Sequence, residues 1–228
     1  MNSRQRSVLI RVTIAVVVFL YVAYVANQYV LSGRLPRFDF VVITAFVGVY
    51  FIFTIITETL LYKDPDVFVT EDDDRWTYAL LQLSSITGLF YAAIDFLSTH
   101  WTRLYSLEPG IIYLGFVLFA ISGIYRGWGL LAIGKYFNPR ISIYEDHQLV
   151  TSGPYRKIRH PLYLGVLISL IATDMVFSSW GALLITVFFT LPILIYRIKL
   201  EEEFLLKHFG DDYKEYMQHS KKLIPGLW

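Results

Sequence analysis

Apolar runs close to twenty residues long recur along this chain, and they limit what it can become. A helix needs about 20 such residues to cross ~30 Å of hydrocarbon. The runs Val8–Val30, Phe40–Tyr62, Trp76–Phe96, Gly110–Ile133, Pro161–Phe177 and Gly181–Tyr196 read as membrane-embedded helices. With 55% hydrophobic residues in 228, too little polar surface remains to coat a soluble domain. The last two runs are shorter, and Ser178-Ser179-Trp180-Gly181 between them marks a tight turn, so they form a helical hairpin. The expected fold class is an all-α, polytopic membrane helical bundle of about six membrane helices. A cytosolic loop and a C-terminal amphipathic helix complete it. One domain over 1–228 is the simplest organisation, with residues 1–109 of unassigned role and 134–222 as the chemical region.

Arg4 and Arg6 ahead of the first run, with Arg11 at its start, resemble the start of a signal peptide. The run is too long for one, and Gln28-Tyr29-Val30 replaces a small-residue cleavage site, so it is expected to persist as a helix. Absence of cysteine excludes disulfides, thiolate catalysis and cysteine-ligated metals. With six crossings and a cytoplasmic N-terminus, external loops hold only Arg34, Arg37 and Arg103, and the remaining seventeen Lys and Arg lie inside. Residues 134–160 and the C-terminal tail then share the cytosolic side. A short, cysteine-free chain suggests a prokaryotic plasma membrane.

Two segments lie outside the spans. Lys135–His160 carries Gly134 and Asn138-Pro139 as stop signals, and Ile141, Ile143, Leu149 and Val150 suggest a short extended hairpin or folded loop. Pro161 suits the first turn of the next helix, where its missing N–H costs nothing. Leu200–Lys222 places Phe204, Leu205, Phe209, Tyr213, Tyr216 and Met217 on an apolar stripe, broken at Gly210-Asp211-Asp212 with Asp as the cap of the second piece. Such a tail either covers a cytosolic pocket or lies along headgroups.

The densest charge sits in TSGPYRKIRHPLYLG, residues 151–165. Arg156 and Arg159 at a helix start suit a carboxylate or phosphate, because the free N–H groups there attract anions. Lys157 reads as a headgroup anchor, whereas His160 and Tyr163, three apart on one face, ask for a more specific role. Arg197 and Glu201-Glu202-Glu203 mark the exit of the last span, where charges must be paired or solvated. An Arg197–Glu201 pair and a solvated Glu203 are the plain expectations. Glu201 alternatively faces the bundle and binds a cationic or hydroxyl-rich ligand.

HQLVTSGPYRKIRHPLYLG (147–165) followed by RIKLEEEFLLKHFGDDYKEY (197–216) resembles the isoprenylcysteine carboxyl methyltransferase family, integral-membrane enzymes that use S-adenosylmethionine. The two blocks fill every position of H-x-L-V-T-x-G-x-Y-x-x-x-R-H-P-x-Y-x-G and R-x-x-x-E-E-x-x-L-x-x-x-F-G-x-x-Y-x-x-Y, and Leu223-Ile224-Pro225 fits the way members end. The resemblance covers the C-terminal third; the first three spans carry no such motif. It implies that His147, Gln148, Leu149, Val150 and Tyr155 line the adenosine end of the cofactor. His160, Pro161, Leu162 and Tyr163, with Arg159, hold the methionine portion, and Glu201 completes the pocket. Arg197 faces the methyl acceptor, and His160, Tyr163 and Glu202 join it as the catalytic set. A carboxylate or thiolate acceptor needs no base; an amine needs one, with His160 or Glu202 as first candidates. The acceptor is lipophilic and enters from the bilayer lipids, a prenylcysteine carboxylate being favoured over a phospholipid amine or a thiol. Neither nucleic acid nor metal is expected, since no metal-ligand spacing such as His-Glu-x-x-His occurs.

A sterol-type NADPH reductase is the competing enzyme, sharing R-H-P-x-Y and an acidic stretch. Leu162, Tyr213 and the pair Glu201-Glu202 depart from its pattern of Asn, Trp and Asp-Glu. A non-enzymatic relative is the third reading, opposed by the filled motifs. Within the spans, Glu58 and Asp95 are expected to reach the interface from helix ends, and Arg126 to line the cavity or pair with an acid. Gly115 and Gly129 read as packing glycines, Asp174 has no assigned role, and His100, His208 and His219 have no partner that spacing supports.

Overall fold

The apolar runs become helices in the computed structural model, which describes residues 3–56, 69–72 and 74–224. Two compact units, residues 1–62 and 63–228, divide a chain whose sequence reads as one bundle. The first unit is a pair of helices, α1 (Ser3–Leu31) and α2 (Arg37–Ile56), joined by a turn in which Gly33 takes a positive φ. Phe19 packs edge-on to Phe51 and passes over Gly48 of α2. The end of the second expected span, with Glu58, lies outside the described residues.

The second unit runs β1 (Val69–Asp72), α3 (Thr77–Ile94), α4 (Gly110–Ile133), β2 (Ser142–Tyr144), α5 (Pro161–Val176), α6 (Trp180–Ile185), α7 (Leu191–Phe209) and α8 (Asp211–His219). Three continuous helical stretches, Thr77–Thr99, Gly110–Tyr136 and Trp180–Phe209, are long and apolar enough to cross a membrane, and Pro161–Val176 is a shorter apolar helix. The protein is therefore an integral membrane protein of helical class. Exposed Trp76 and Trp128 stand near one end of these helices, and exposed Trp101, Tyr105 and Trp180 near the other. Aromatic side chains at both ends match the two belts where amphipathic rings meet headgroups.

The last span is longer than the sequence suggests, because α6 and α7 are one continuous helix. Pro192 lacks an N–H, and its ring would strike the carbonyl four residues back. The helix answers by widening to a π turn over Thr186–Thr190. Helices α4 and α5 press together through glycines. A Cβ on Gly115 would lie 2.8 Å from Val176 N and 2.9 Å from Ala172 O, and one on Gly129 would meet Leu162 Cδ2 at 2.7 Å. Both are packing glycines, as expected. On the facing side Gly165 leaves room for the stem of Arg126, which lies across α5.

At the far end of the unit, Asp95 does not reach the interface. It is 1% exposed and accepts from Thr102 N (3.1 Å) and Oγ1 (2.5 Å), Ser179 Oγ (3.0 Å) and Thr99 Oγ1 (3.1 Å). These donors replace water, and so a carboxylate at a helix end is kept inside. Asp174 accepts similarly from Thr186 Oγ1 at 2.8 Å.

At the opposite end the 134–160 segment is a folded loop whose one strand, β2, forms no local hairpin. β2 pairs antiparallel with β1, register Glu71 with Ile143, far back in sequence. Ile141 and Ile143 then bury against Leu200 and Phe204 of α7. Gly210, at positive φ, breaks the tail where expected, although Gly210 itself is the cap and Asp211 lies in the first turn. Tyr213 is buried, and Tyr216 donates to the Tyr155 carbonyl at 2.6 Å. The tail therefore covers the loop rather than lying along headgroups.

Candidate active site

Chain ends and helix starts are built together here. Pro161 occupies the first position of α5 with His160 as its cap. Tail residues run beside the loop: Lys221 N donates to Lys157 O (2.9 Å), Arg159 N to Lys221 O (2.7 Å) and His160 N to Lys222 O (3.0 Å). Two amides of the basic turn are thus already engaged by the chain itself.

The charges follow the same pattern. Buried Glu202 accepts from Arg159 Nε at 2.8 Å, lies 3.3 Å from His160 Nε2 and pairs with Lys222 Nζ at 2.9 Å. Arg159 Nη1 also donates to the Ser220 carbonyl at 2.5 Å. Arg159 is a clamp between loop, helix and tail. Glu202 is the buried counter-charge of Arg159 and Lys222, with the His160 ring beside it.

Arg197 departs from its expected pairing. It is 1% exposed and pairs with Asp74, not Glu201. Nη1 donates to Asp74 Oδ1 (2.5 Å) and Thr77 Oγ1 (2.6 Å), Nη2 to Pro139 O (2.6 Å) and Nε to the Tyr163 hydroxyl (2.8 Å). These four bonds tie the guanidinium to Asp74, Thr77, Pro139 and Tyr163.

Glu201 is left as the carboxylate with spare capacity. Its Oε2 is buried, lacks a hydrogen-bond partner and stands 3.7 Å from His160 Nδ1. The His160 ring stacks on Tyr163, centroids 5.6 Å apart at 19°. The structure thus brings His160, Tyr163 and Glu201 together from two segments of chain. Pro161 is buried and Leu162 half-buried against Gly129.

His147 forms a second cluster further along α7. Its ring stacks on Tyr136 at 4.7 Å and 11°, lies 5.8 Å from Tyr144, and meets Phe209 edge-on at 5.7 Å. Its Nδ1 is buried without a partner. Burial, and then the neighbouring charge of His208, push its pKa down to about 4, so the ring is neutral at pH 7. Leu149 and Val150 are half-buried beside an exposed Gln148. Tyr155 is buried and its hydroxyl is held protonated, chiefly by that burial. Tyr213 is 1% exposed with an unpartnered hydroxyl, and burial keeps it protonated too. Arg156, Lys157 and Glu203 are exposed, as a solvated collar requires.

Glu201, Leu205 and Phe209 recur every fourth residue and share a face of α7, with about 12 Å between the two ends. One end offers an unpaired carboxylate, the other a neutral ring with a free nitrogen among aromatics. An elongated ligand with a cationic or diol-bearing part and a flat heterocycle fits that donor set. Tyr136, Phe209, Lys222, Asp74 and Thr77 were not legible as site residues. Only Asp74 and Thr77 carried a local signal, that of a helix cap ahead of α3.

The model of the isoprenylcysteine carboxyl methyltransferase family matches residues 113–207, which include His147, His160 and Glu201. A probable protein-S-isoprenylcysteine O-methyltransferase of Oryza sativa subsp. indica is 38% identical over 120 residues, 50% of this chain and 61% of that protein. Protein-S-isoprenylcysteine O-methyltransferase A of Arabidopsis thaliana is 30% identical over 152 residues, 65% of this chain and 73% of that protein. The chain thus spans about three-fifths of the rice relative and nearly three-quarters of the Arabidopsis one. The solved structure of a eukaryotic intramembrane Ras methyltransferase aligns over 95% of this chain and 74% of its own, with TM-score 0.51 and 23% identity, a likeness of fold. On the Arabidopsis match and the family match over the site, the chain belongs to the isoprenylcysteine carboxyl methyltransferase family.

Proposed function

We propose that this protein transfers a methyl group from S-adenosylmethionine to a lipophilic acceptor held in the bilayer, with the carboxylate of a prenylated cysteine favoured. The observation that carries the reading is the meeting of His160 and Glu201, 3.7 Å apart, around a buried carboxylate oxygen without a hydrogen bond. A buried carboxylate oxygen without a donor is costly; a cationic ligand removes that cost. Glu201 and His160 with Tyr163 would hold the methionine part, and His147, Leu149, Val150 and Tyr155 the adenosine part, with Gln148 at its rim. Bound there, S-adenosylmethionine supplies an electrophilic methyl on a sulfonium.

The residues of the chain then have positional work. A carboxylate acceptor brings its own nucleophilic oxygen, so no side chain must remove a proton. That agrees with Glu202 being already paired with Arg159 and Lys222. Alignment of two reactants in a dry site contributes most of the acceleration. The basic end of the helices is oriented to the cytosol, where the soluble cofactor enters, and the acceptor arrives sideways between helices.

Calorimetric titration of the purified protein with S-adenosylhomocysteine and, separately, NADPH tests the reading. Binding of the first alone is expected; binding of NADPH alone overturns it. Transfer of labelled methyl to a farnesylated cysteine derivative, an alkanethiol and phosphatidylethanolamine then ranks the acceptors, with the carboxylate expected first.

A further inference from the structure

Arg197 reaches the site through partners that lie outside both motif blocks. Asp74 precedes α3, and its second oxygen accepts from Tyr78 N at 3.1 Å, so the carboxylate is locked to the first turn of that helix. Thr77 Oγ1 donates to Asp74 O at 2.7 Å and accepts from Arg197, which fixes the hydroxyl in turn. Burial alone would raise the Asp74 pKa, but hydrogen bonds from Arg197 and Tyr78 outweigh it and hold the group ionised. Four oxygens around one planar fork leave the guanidinium no alternative orientation. Its Nε then sets where the Tyr163 oxygen lies, while the Tyr163 ring is held against His160. That same His160 ring stands 3.7 Å from Glu201 Oε2 through its Nδ1. A continuous path therefore runs from α3 through α7 to the residues nearest the unpaired carboxylate.

We propose that Asp74, with Thr77, is a positioning residue for methyl transfer: it holds Arg197 in the one orientation that fixes Tyr163 against the His160–Glu201 pair. This rests on the methyltransferase reading. Arg197 serves as the joint of this path and not as a grip on the acceptor. A pair needed only for folding would tolerate a change of angle, whereas a positioning chain loses rate when the final hydroxyl moves by a fraction of an ångström.

The test uses the full chain in detergent, with S-adenosylhomocysteine affinity, kcat and KM for a farnesylated cysteine derivative, and Tm measured for each variant. Asp74→Asn is expected to leave that affinity within about threefold while kcat falls roughly 10- to 100-fold. Asp74→Asn combined with Arg197→Lys should be no slower than Arg197→Lys alone, because both break one path. A kcat for Asp74→Asn within about twofold of the parent, or effects that multiply in the double variant, overturn the proposal. If Asp74→Asn does not fold, the isosteric Thr77→Val decides in its place, with kcat down about threefold or more at unchanged affinity expected and an unchanged kcat fatal. An unmodified protein that fails to bind S-adenosylhomocysteine sinks the methyltransferase reading, and this inference with it.

Discussion

Glu201 and Glu202 are neighbours in the chain with opposite surroundings: Glu202 Oε1 lies 2.8 Å from Arg159 Nε, whereas Glu201 Oε2 has no hydrogen-bond partner. One residue along a helix is a rotation of about 100°. That step takes the second carboxylate into a cage of cations and leaves the first facing the candidate pocket.

Glu201→Gln should therefore separate binding from folding. Affinity for S-adenosylhomocysteine should fall about tenfold or more, the loss of one charge-assisted contact, while Tm stays within ~2 °C. Calorimetry and a thermal melt on one preparation check both. Normal affinity in this variant removes Glu201 from the site.

Glu202→Gln should do the reverse and damage the fold. It leaves Arg159 and Lys222 near a neutral group, and breaking a buried pair costs about 3–5 kcal/mol. A drop in Tm on the order of 10 °C is expected. Lys222→Met should cost less, since the Lys222 side chain is 24% exposed against 6% for Arg159. A melt for Glu202→Gln that matches the parent would mean the cage is not what holds tail to loop.

Two glycines on α4 should respond differently to one methyl group. In Gly115→Ala the new Cβ meets backbone N and O of α5 at 2.8–2.9 Å, atoms that cannot yield, and a loss of about 1–3 kcal/mol follows. In Gly129→Ala the nearest atom is the end of the Leu162 side chain, which can turn, and the gain in helix propensity of up to about 1 kcal/mol offsets the contact. Denaturant titrations should rank Gly115→Ala well below Gly129→Ala; equal stabilities would contradict the close approach of α4 and α5.

His147 provides a pH dependence whose sign is fixed. Its folded pKa is about 4 against 6.5 unperturbed, with burial the main cause and His208 the second. Between those values the unfolded chain binds the extra proton. The stability this residue contributes is complete above pH 6.5, declines as pH falls toward 4, and is level below that. Imidazole ¹⁵N shifts should report a ring still neutral at pH 5.5, and His147→Phe should flatten the decline in Tm over that interval. A ring titrating near 6.5 in the folded protein would mean that water reaches the aromatic cluster.

Much of this was legible along the chain because it is local. Helix existence follows from apolar length, the break at Gly210 from a residue free to adopt positive φ, and the start of α5 from Pro161. The meeting of His160, Tyr163 and Glu201 follows the two motif blocks, which the fold brings side by side. The internal partners of Arg159, Arg197 and Glu202 were not legible for a common reason: a charge near a site looks the same in sequence whether it faces a ligand or a partner side chain. β1 pairing with β2, and Asp95 drawn inward by Thr102 and Ser179, depend on segments distant in sequence and leave no local trace.

Sequence alone determined the medium in which this protein lives and the length of its helices, because transfer of apolar side chains and satisfaction of backbone hydrogen bonds are properties of each segment by itself. The tertiary structure decided which charges were spent inside the fold and which were left over. Pairing energy depends on distances between α3, α5, α7 and the tail, and only their packing brings Asp74 to Arg197, Glu202 to Lys222, and leaves Glu201 Oε2 without a hydrogen bond.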